Sequence, residues 1–146
     1  MPNNENIKLW VAALRSGDYK QGKGRLQEVN PRGERTYCCL GVASDLFIKE
    51  KGKLSWVQDE GNTEVYCEGP ESYDGALLPR VVREWLGVKA SDPKFGEHSA
   101  VYYNDGGQYT FDQIADLIEK EYLLETEEDI TYRSIRVPGR SIEGKV

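Results

Sequence analysis

Residues 37–46 read Tyr-Cys-Cys-Leu-Gly-Val-Ala-Ser-Asp-Leu, and they open an apolar helical pattern directly after a loop rich in Gly, Lys and Arg. Cys39, Val42 and Leu46 recur at helical spacing, which predicts a helix over residues 38–51 with one buried face. Gly52 follows the pattern and is typical of a residue that ends a helix. We therefore expect this segment to contribute to the core.

Two adjacent cysteines, Cys38 and Cys39, stand at the start of this helix, and two interpretations of them stay open. Adjacent thiols do not readily form a disulfide, because disulfide geometry is narrow. A thiol at a helix N-terminus can have a lowered pKa and act as a nucleophile, with the single histidine, His98, as its base. Packing is the simpler expectation, since cysteine is among the most buried residue types. Cys39 lies on the apolar face, so Cys38 should be the more exposed.

The rest of the chain predicts three more helices and a small sheet. The helices fall near residues 4–16, 79–86 and 110–123. Residues 54–57 and 64–67 flank a turn signal and predict a β-hairpin, and residues 26–29 predict a short strand. Residues 100–103 and 108–109 bracket Asn-Asp-Gly-Gly, which indicates a turn of hairpin type. The sequence thus predicts an α+β fold with about four helices packed on a small antiparallel β-sheet.

The apolar faces of the first, second and fourth helices should meet in one core. Its predicted members are Trp10, Leu14, Val42, Leu46, Phe111, Ile114 and Ile118. Thr110 and Gln113 predict a capping box at the start of the fourth helix, which satisfies two backbone N–H groups reciprocally. Pro79 is expected at the first position of the third helix, where its missing N–H costs nothing.

A chain of 146 residues has the length of one domain. We predict a single globular domain over residues 1–124, followed by a charged C-terminal extension over residues 125–146 that is partly strand or disordered. Within this extension, residues 130–137 alternate enough for a strand and residues 138–146 read as a loose tail.

Composition and charge exclude several classes of protein. The net charge of −6 argues against general nucleic-acid binding, which needs a clustered basic face to neutralise phosphates. No apolar run approaches the roughly 20 residues that a membrane helix requires, and no signal peptide opens the sequence. Three cysteines without a disulfide framework indicate a reduced environment. The expectation is a cytoplasmic protein that does not bind membranes.

Two polar loops contain the candidate ligand-binding residues. The first carries Gln21, Lys23 and Arg25, which alternate with Gly22 and Gly24, and its free backbone amides and basic side chains could bind one anionic group. It lacks the spacing of a P-loop, so a flexible solvated connector is the competing interpretation. The second carries Asn104 and Asp105, whose amide and carboxylate could bind a ligand or merely shape a turn.

Metal and cofactor chemistry are not indicated by the sequence. Zinc binding by Cys38, Cys39, Cys67 and His98 is disfavoured, because structural zinc sites pair their ligands two to four residues apart. No catalytic constellation is complete. We therefore expect no metal and no cofactor, and a function without catalysis is favoured over an enzymatic one.

Three blocks of sequence form a pattern that is specific in order and spacing. They are residues 10–26 with Trp-Val-Ala-Ala-Leu-Arg-Ser-Gly-Asp-Tyr, residues 37–46, and a later block with Leu78-Pro79, Trp85-Leu86-Gly87, Asn104-Asp105 and residues 111–118. Together they resemble a family of small uncharacterised proteins found mostly in bacteriophage genomes. The likeness covers most of residues 8–123. It implies a phage accessory protein in the host cytoplasm, and it carries over no catalytic residues.

The sequence favours a non-catalytic phage accessory protein that binds a host protein or a small anionic ligand, including a nucleotide-like one. The polar loops attached to well-specified helices support this, since function tends to lie on such loops. The alternative is a small cysteine-dependent hydrolase or transferase that uses Cys38 or Cys39 with His98. A virion structural role is disfavoured by the lack of repeats, and a homo-oligomer is compatible with the sequence.

Overall fold

The computed structural model describes residues 2–58, 64–68 and 73–123. Four α-helices lie in these ranges: α1 (Asn4–Arg15), α2 (Cys39–Lys51), α3 (Arg80–Leu86) and α4 (Phe111–Ile118). They confirm the four predicted helices, and the mixed α+β fold class is confirmed with them. None of the helices in the described ranges is long and apolar enough to cross a membrane. The predicted extension over residues 125–146 lies outside the described residues.

A five-stranded antiparallel sheet packs beside the helices. Its strands are β1 (Gln27–Val29), β2 (Arg35–Tyr37), β3 (Ser55–Gln58), β4 (Glu64–Glu68) and β5 (Tyr73–Asp74). The order is β2-β1-β4-β3, and β5 also pairs with β4. The predicted hairpin is confirmed, with Ser55 opposite Glu68 and Gln58 opposite Val65. A separate two-stranded ribbon joins β6 (Lys94–Phe95) to β7 (His98–Ser99).

The core forms where α1, α2 and α4 meet, as predicted. Six of the seven predicted core residues are buried: Trp10, Leu14, Val42, Phe111, Ile114 and Ile118. Leu46 is only partly buried but packs against the same cluster. The central element is α2, in which every residue from position 39 to position 45 is buried. Trp10 ties α1 to it, because the indole Nε1 donates to the Cys39 carbonyl oxygen at 2.9 Å.

The sequence predicts the first residue of each helix to within one position. Gln113 N–H donates to Thr110 Oγ1 at 3.2 Å, and Thr110 N–H donates to Gln113 Oε1 at 2.9 Å. These two bonds confirm the predicted capping box of α4. Pro79 is the N-cap of α3 rather than its first residue, because its ψ of 154° is extended and the helix begins at Arg80.

The predicted hairpin-type turn around Asn104 is wrong. Residues Tyr102–Gly106 form a π-helical turn instead, and the N–H of Gly107 donates to the carbonyl oxygen of Tyr102 at 2.6 Å. The reason is burial, since the side chains of Tyr103 and Asn104 both point into the protein. A hairpin would place them at an exposed tip, whereas a helical turn directs both toward packed neighbours.

Gly41 allows α2 to touch the backbone that leads into β1. A Cβ atom at this position would lie 2.5 Å from the carbonyl carbon of Leu26 and 2.9 Å from its Cα, and closer still to its oxygen. These are backbone atoms, which cannot rotate away as the end of a side chain can. The first turn of α2 therefore packs against the sheet with no side chain between them.

Candidate functional site

The two candidate loops, distant in sequence, lie against each other in the structure. Gln21 Nε2 donates to Asn104 Oδ1 at 2.9 Å, and Asn104 Nδ2 donates to the carbonyl oxygen of Gly22 at 2.8 Å. Two of the residues chosen as ligand-binding candidates thus contact one another directly. Their first role is to join the segments that carry them.

Asn104 lies at the centre of the contact between the two loops, which we call the Asn104 junction, and it is 1% exposed. Its Oδ1 also accepts the backbone N–H of Cys39 at 3.2 Å. This bond caps α2 from a distance, which matters because Cys38 provides no side-chain cap. The Nδ2 group makes a second bond to Asp105 Oδ1 at 2.8 Å. A buried amide with this many partners fixes the position of both loops and of the start of α2.

Further bonds join the first loop to the residues around the start of α4. Gln21 Nε2 also donates to the carbonyl oxygen of Tyr109 at 2.8 Å, and Gln21 Oε1 accepts the N–H of Phe111 at 3.1 Å. Asp105 Oδ2 accepts the N–H of Gly24 at 3.1 Å. Gly24 has a φ of +81°, in the left-handed region of the backbone that favours glycine.

The start of the first loop is held by a separate polar cluster around Asp45. Tyr19 Oη donates to Asp45 Oδ2 at 2.6 Å, and Trp56 Nε1 donates to Asp45 Oδ1 at 2.9 Å. Lys49 forms an ion pair with the same carboxylate at 3.0 Å. Burial, followed by the bond to Asp45, raises the pKa of Tyr19 well above its ordinary value. Tyr19 therefore remains a neutral donor, and the loop is anchored at both of its ends.

An open cleft of about 260 Å³ lies at the junction of the loops. Its lining residues are Gln21, Lys23, Asn104, Gln108, Tyr109 and Thr110. Lys23 is exposed and adds a positive charge to the wall. Gln108 has a φ of +58°, which non-glycine residues seldom adopt and which recurs at functional sites.

Three of the five candidate residues line this cleft, and two do not. Asp105 lines a separate, smaller cavity of about 80 Å³ together with Cys38 and Asn104. Arg25 is half-buried, and its carbonyl oxygen accepts the N–H of Cys38 at 3.3 Å. Gln108, Tyr109 and Thr110 were not among the candidates. Gln108 and Tyr109 lie between a polar loop and the helix cap at Thr110, and this position was the signal that could have indicated all three.

Both thiols at the start of α2 are buried, and Cys38 is the more exposed of the two by only a small margin. Cys38 is 5% exposed and Cys39 is fully buried. Burial raises the pKa of Cys38 to about 12, despite opposing hydrogen bonds from the backbone of the first helical turn. Burial also raises the pKa of Cys39 well above its ordinary value. Loss of hydration outweighs the helix N-terminus here, because the thiolate would be a charge without water.

His98 lies in β7, and its ring contacts are with tyrosines. The imidazole stacks on Tyr102 at a centroid distance of 4.1 Å and meets Tyr103 edge-on at 5.7 Å. No group of three or more His, Cys, Asp or Glu side chains that could hold a metal ion occurs within the described residues. The side chain of Cys67 falls outside that description.

We expect Cys38 to resist alkylation in the folded protein. Its pKa of about 12 leaves little thiolate near neutral pH, whereas unfolding restores an ordinary thiol pKa of about 8.5. Iodoacetamide should therefore modify Cys38 at least about tenfold more slowly in buffer at pH 8 than in denaturing guanidinium chloride. Peptide mass spectrometry after timed quenching measures the rate.

The same raised pKa predicts how stability depends on pH. The folded protein keeps these thiols protonated while the unfolded chain ionises, so the free energy of unfolding should fall as pH rises from about 9 toward 12.

His98→Ala is the control for the alkylation experiment and should leave the alkylation rate of Cys38 unchanged. If the alkylation rate of Cys38 instead rose with pH through a midpoint below about 7.5, and His98→Ala abolished that midpoint, a reactive Cys–His pair would be established.

The comparisons with known proteins identify a family and give no activity. No curated protein and no solved structure matches this chain. One family model, described as "Domain of unknown function (DUF8296)", matches residues 3–122. This match spans α1 to α4, the sheet and both candidate loops. The chain therefore belongs to the DUF8296 family.

Proposed function

We propose that this protein is a non-catalytic binding protein and that the cleft between its two polar loops holds a small anionic ligand of nucleotide-like chemistry. One observation carries the proposal. The Asn104 junction joins the loops through hydrogen bonds to one buried side chain and leaves an open polar cleft with Lys23 in its wall. Clefts with a few fixed polar groups are the usual places for small ligands.

The chemistry of the cleft favours an anion with hydrogen-bonding groups. Lys23 provides one charge that the cleft can direct at a phosphate or a carboxylate. Gln108 and Thr110 add neutral polar side chains, and Tyr109 adds an aromatic ring. The rigid junction beneath them reduces the entropy lost on binding, because the walls are already ordered.

The proposed biological setting is a bacteriophage accessory protein that acts in the host cytoplasm. The support is the resemblance of residues 10–26, residues 37–46 and the block from Leu78 to Ile118 to small phage-encoded proteins. A host protein as the target is the competing form of the same proposal.

The cysteine-dependent hydrolase or transferase has less support from the geometry. Such an enzyme needs a thiolate that substrate can reach and a base beside it. Cys38 and Cys39 are buried with raised pKa values, and the ring of His98 lies against tyrosines. An enzyme of this kind would need these residues to rearrange, whereas binding in the cleft does not.

The test is a titration of ¹⁵N-labelled protein with ATP and, separately, with inorganic tripolyphosphate. We expect amide shifts to concentrate in residues 21–24 and 104–110, which border the cleft. Lys23→Ala should weaken binding about tenfold, the effect of losing one hydrogen bond to a charged group. Lys8→Ala is the matched control, because Lys8 is an exposed lysine of α1 that does not line the cleft.

The outcomes separate the forms of the proposal. Absence of any shift at the cleft with both probes would overturn a small anionic ligand. If Lys23→Ala and Lys8→Ala bound the probes with equal affinity, the assignment of the binding site to the cleft would be overturned. Recovery of a stoichiometric host protein from an infected lysate, with the cleft amides unchanged by both probes, would favour the protein target.

A further inference from the structure

Three exposed rings surround one buried tyrosine next to the cleft. Tyr103 is 5% exposed, and its Oη donates to the carbonyl oxygen of Phe95 at 2.6 Å. The rings of His98, Tyr102 and Tyr109 meet its ring edge-on, at centroid distances of 5.7, 5.8 and 4.9 Å. We call His98, Tyr102 and Tyr109 the aromatic platform. Its rings are held by a fixed central residue.

The aromatic platform is open to solvent although its members are large and partly apolar. Tyr102 is 45% exposed and Tyr109 is 36% exposed, and His98 is exposed as well. Tyr102 and His98 already stack on each other, with their planes 25° apart. Exposed aromatic rings in fixed positions are the arrangement that proteins use to stack planar ligands.

The platform is continuous with the cleft through Tyr109, which lines the cleft together with Lys23. Gly107 lies between the rings of Tyr109 and Tyr102, since a Cβ added there would be 3.2 Å from atoms of both. The absence of a side chain at Gly107 lets the two rings approach one backbone segment. A charged wall and a surface of rings thus adjoin each other.

We propose that the aromatic platform stacks the planar ring of the ligand whose anionic part lies in the cleft, which makes the ligand class a nucleotide. This inference rests on the proposed function of the cleft. Charge alone selects poorly here, because the chain has a net charge of −6 and Lys23 is the one basic side chain in the cleft lining described above. Ring stacking adds the affinity and selectivity that a single lysine does not provide.

The test compares ATP, GTP, CTP and UTP with inorganic tripolyphosphate, which carries a similar charge and no ring. We expect the nucleotides to bind at least about tenfold more tightly to the whole protein, measured by calorimetry and by ¹⁵N amide shifts. Tyr102→Leu should weaken nucleotide binding at least about fivefold and leave tripolyphosphate binding unchanged. Tyr102→Phe retains the ring and should bind nucleotides as the native protein does.

Each outcome bears on one of the two proposals. Equal binding of nucleotides and tripolyphosphate at the cleft, unaffected by Tyr102→Leu, would overturn ring recognition and leave the anion site standing. Nucleotide shifts that avoid His98, Tyr102 and Tyr109 would do the same. No binding of any probe would overturn the cleft itself. Thermal unfolding of both Tyr102 variants checks that the comparison is made on folded protein.

Discussion

Gly41→Ala is expected to lower the free energy of unfolding by more than about 4 kcal/mol, or to prevent folding. The added Cβ would lie 2.5 Å from the carbonyl carbon of Leu26, where no side-chain rotation can relieve the overlap. The start of α2 would have to move away from the sheet. That displacement would also separate the N–H of Cys39 from Asn104 Oδ1, a bond of 3.2 Å. Urea unfolding followed by tryptophan fluorescence measures the loss.

Gly17→Ala is the matched control for this substitution. Gly17 has a φ of +82°, and a Cβ added there would meet nothing within 4 Å. Its cost should be the backbone strain of the left-handed region alone, about 1–2 kcal/mol. If Gly41→Ala cost no more than Gly17→Ala, the direct contact between α2 and the Leu26 backbone would be refuted.

Asn104→Leu should lower the free energy of unfolding by about 2–5 kcal/mol and abolish the cleft. Leucine has the branching and the number of side-chain heavy atoms of asparagine but leaves the N–H of Cys39 and the carbonyl oxygen of Gly22 without their partner. Each buried unsatisfied group costs about 1–3 kcal/mol. Denaturant unfolding measures the stability, and amide shifts of residues 21–24 report the loss of the junction.

Two further variants make the Asn104 result specific. Asn104→Asp keeps an oxygen for Gln21 and Cys39 but turns a buried carboxylate oxygen toward the carbonyl of Gly22 and the carboxylate of Asp105, so its cost should be comparable with that of leucine. Gln108→Leu changes an exposed residue of the same cleft and should alter stability by no more than about 0.5 kcal/mol. Similar losses in Asn104→Leu and Gln108→Leu would mean that the buried junction contributes little.

The helices were predictable because each is specified by its own neighbours in sequence. Trp10 and Leu14 mark one face of α1, and Thr110 with Gln113 marks the start of α4. Strand β2 was not predicted, since its three residues Arg35–Tyr37 are too few to show alternation. The π-helical turn at Tyr102–Gly106 resembled a hairpin turn in composition, and only burial of Asn104 in the folded chain distinguishes the two.

The candidate site was predictable in its parts but not in its assembly. Glycines and polar side chains marked the loops of Gln21 and Asn104, because such residues favour irregular backbone. Their contact depends on tertiary packing, which no local pattern encodes. The burial of Cys38 has the same origin, since Leu77 and Val101 line the cavity beside it from distant parts of the chain. A helix N-terminus predicts a reactive thiol only where water can reach it.

The two loops of the Asn104 junction are synthesised at different times. Gln21 and Gly22 bond to a residue 82 or 83 positions later in the chain, so the first loop is complete long before its partner leaves the ribosome. Contacts of such long range form late, because a large loop must close first. A nascent chain that ends before Asn104 would lack one of the two loops that line the cleft. The hydrogen bonds of the junction can therefore form only after both loops have been synthesised.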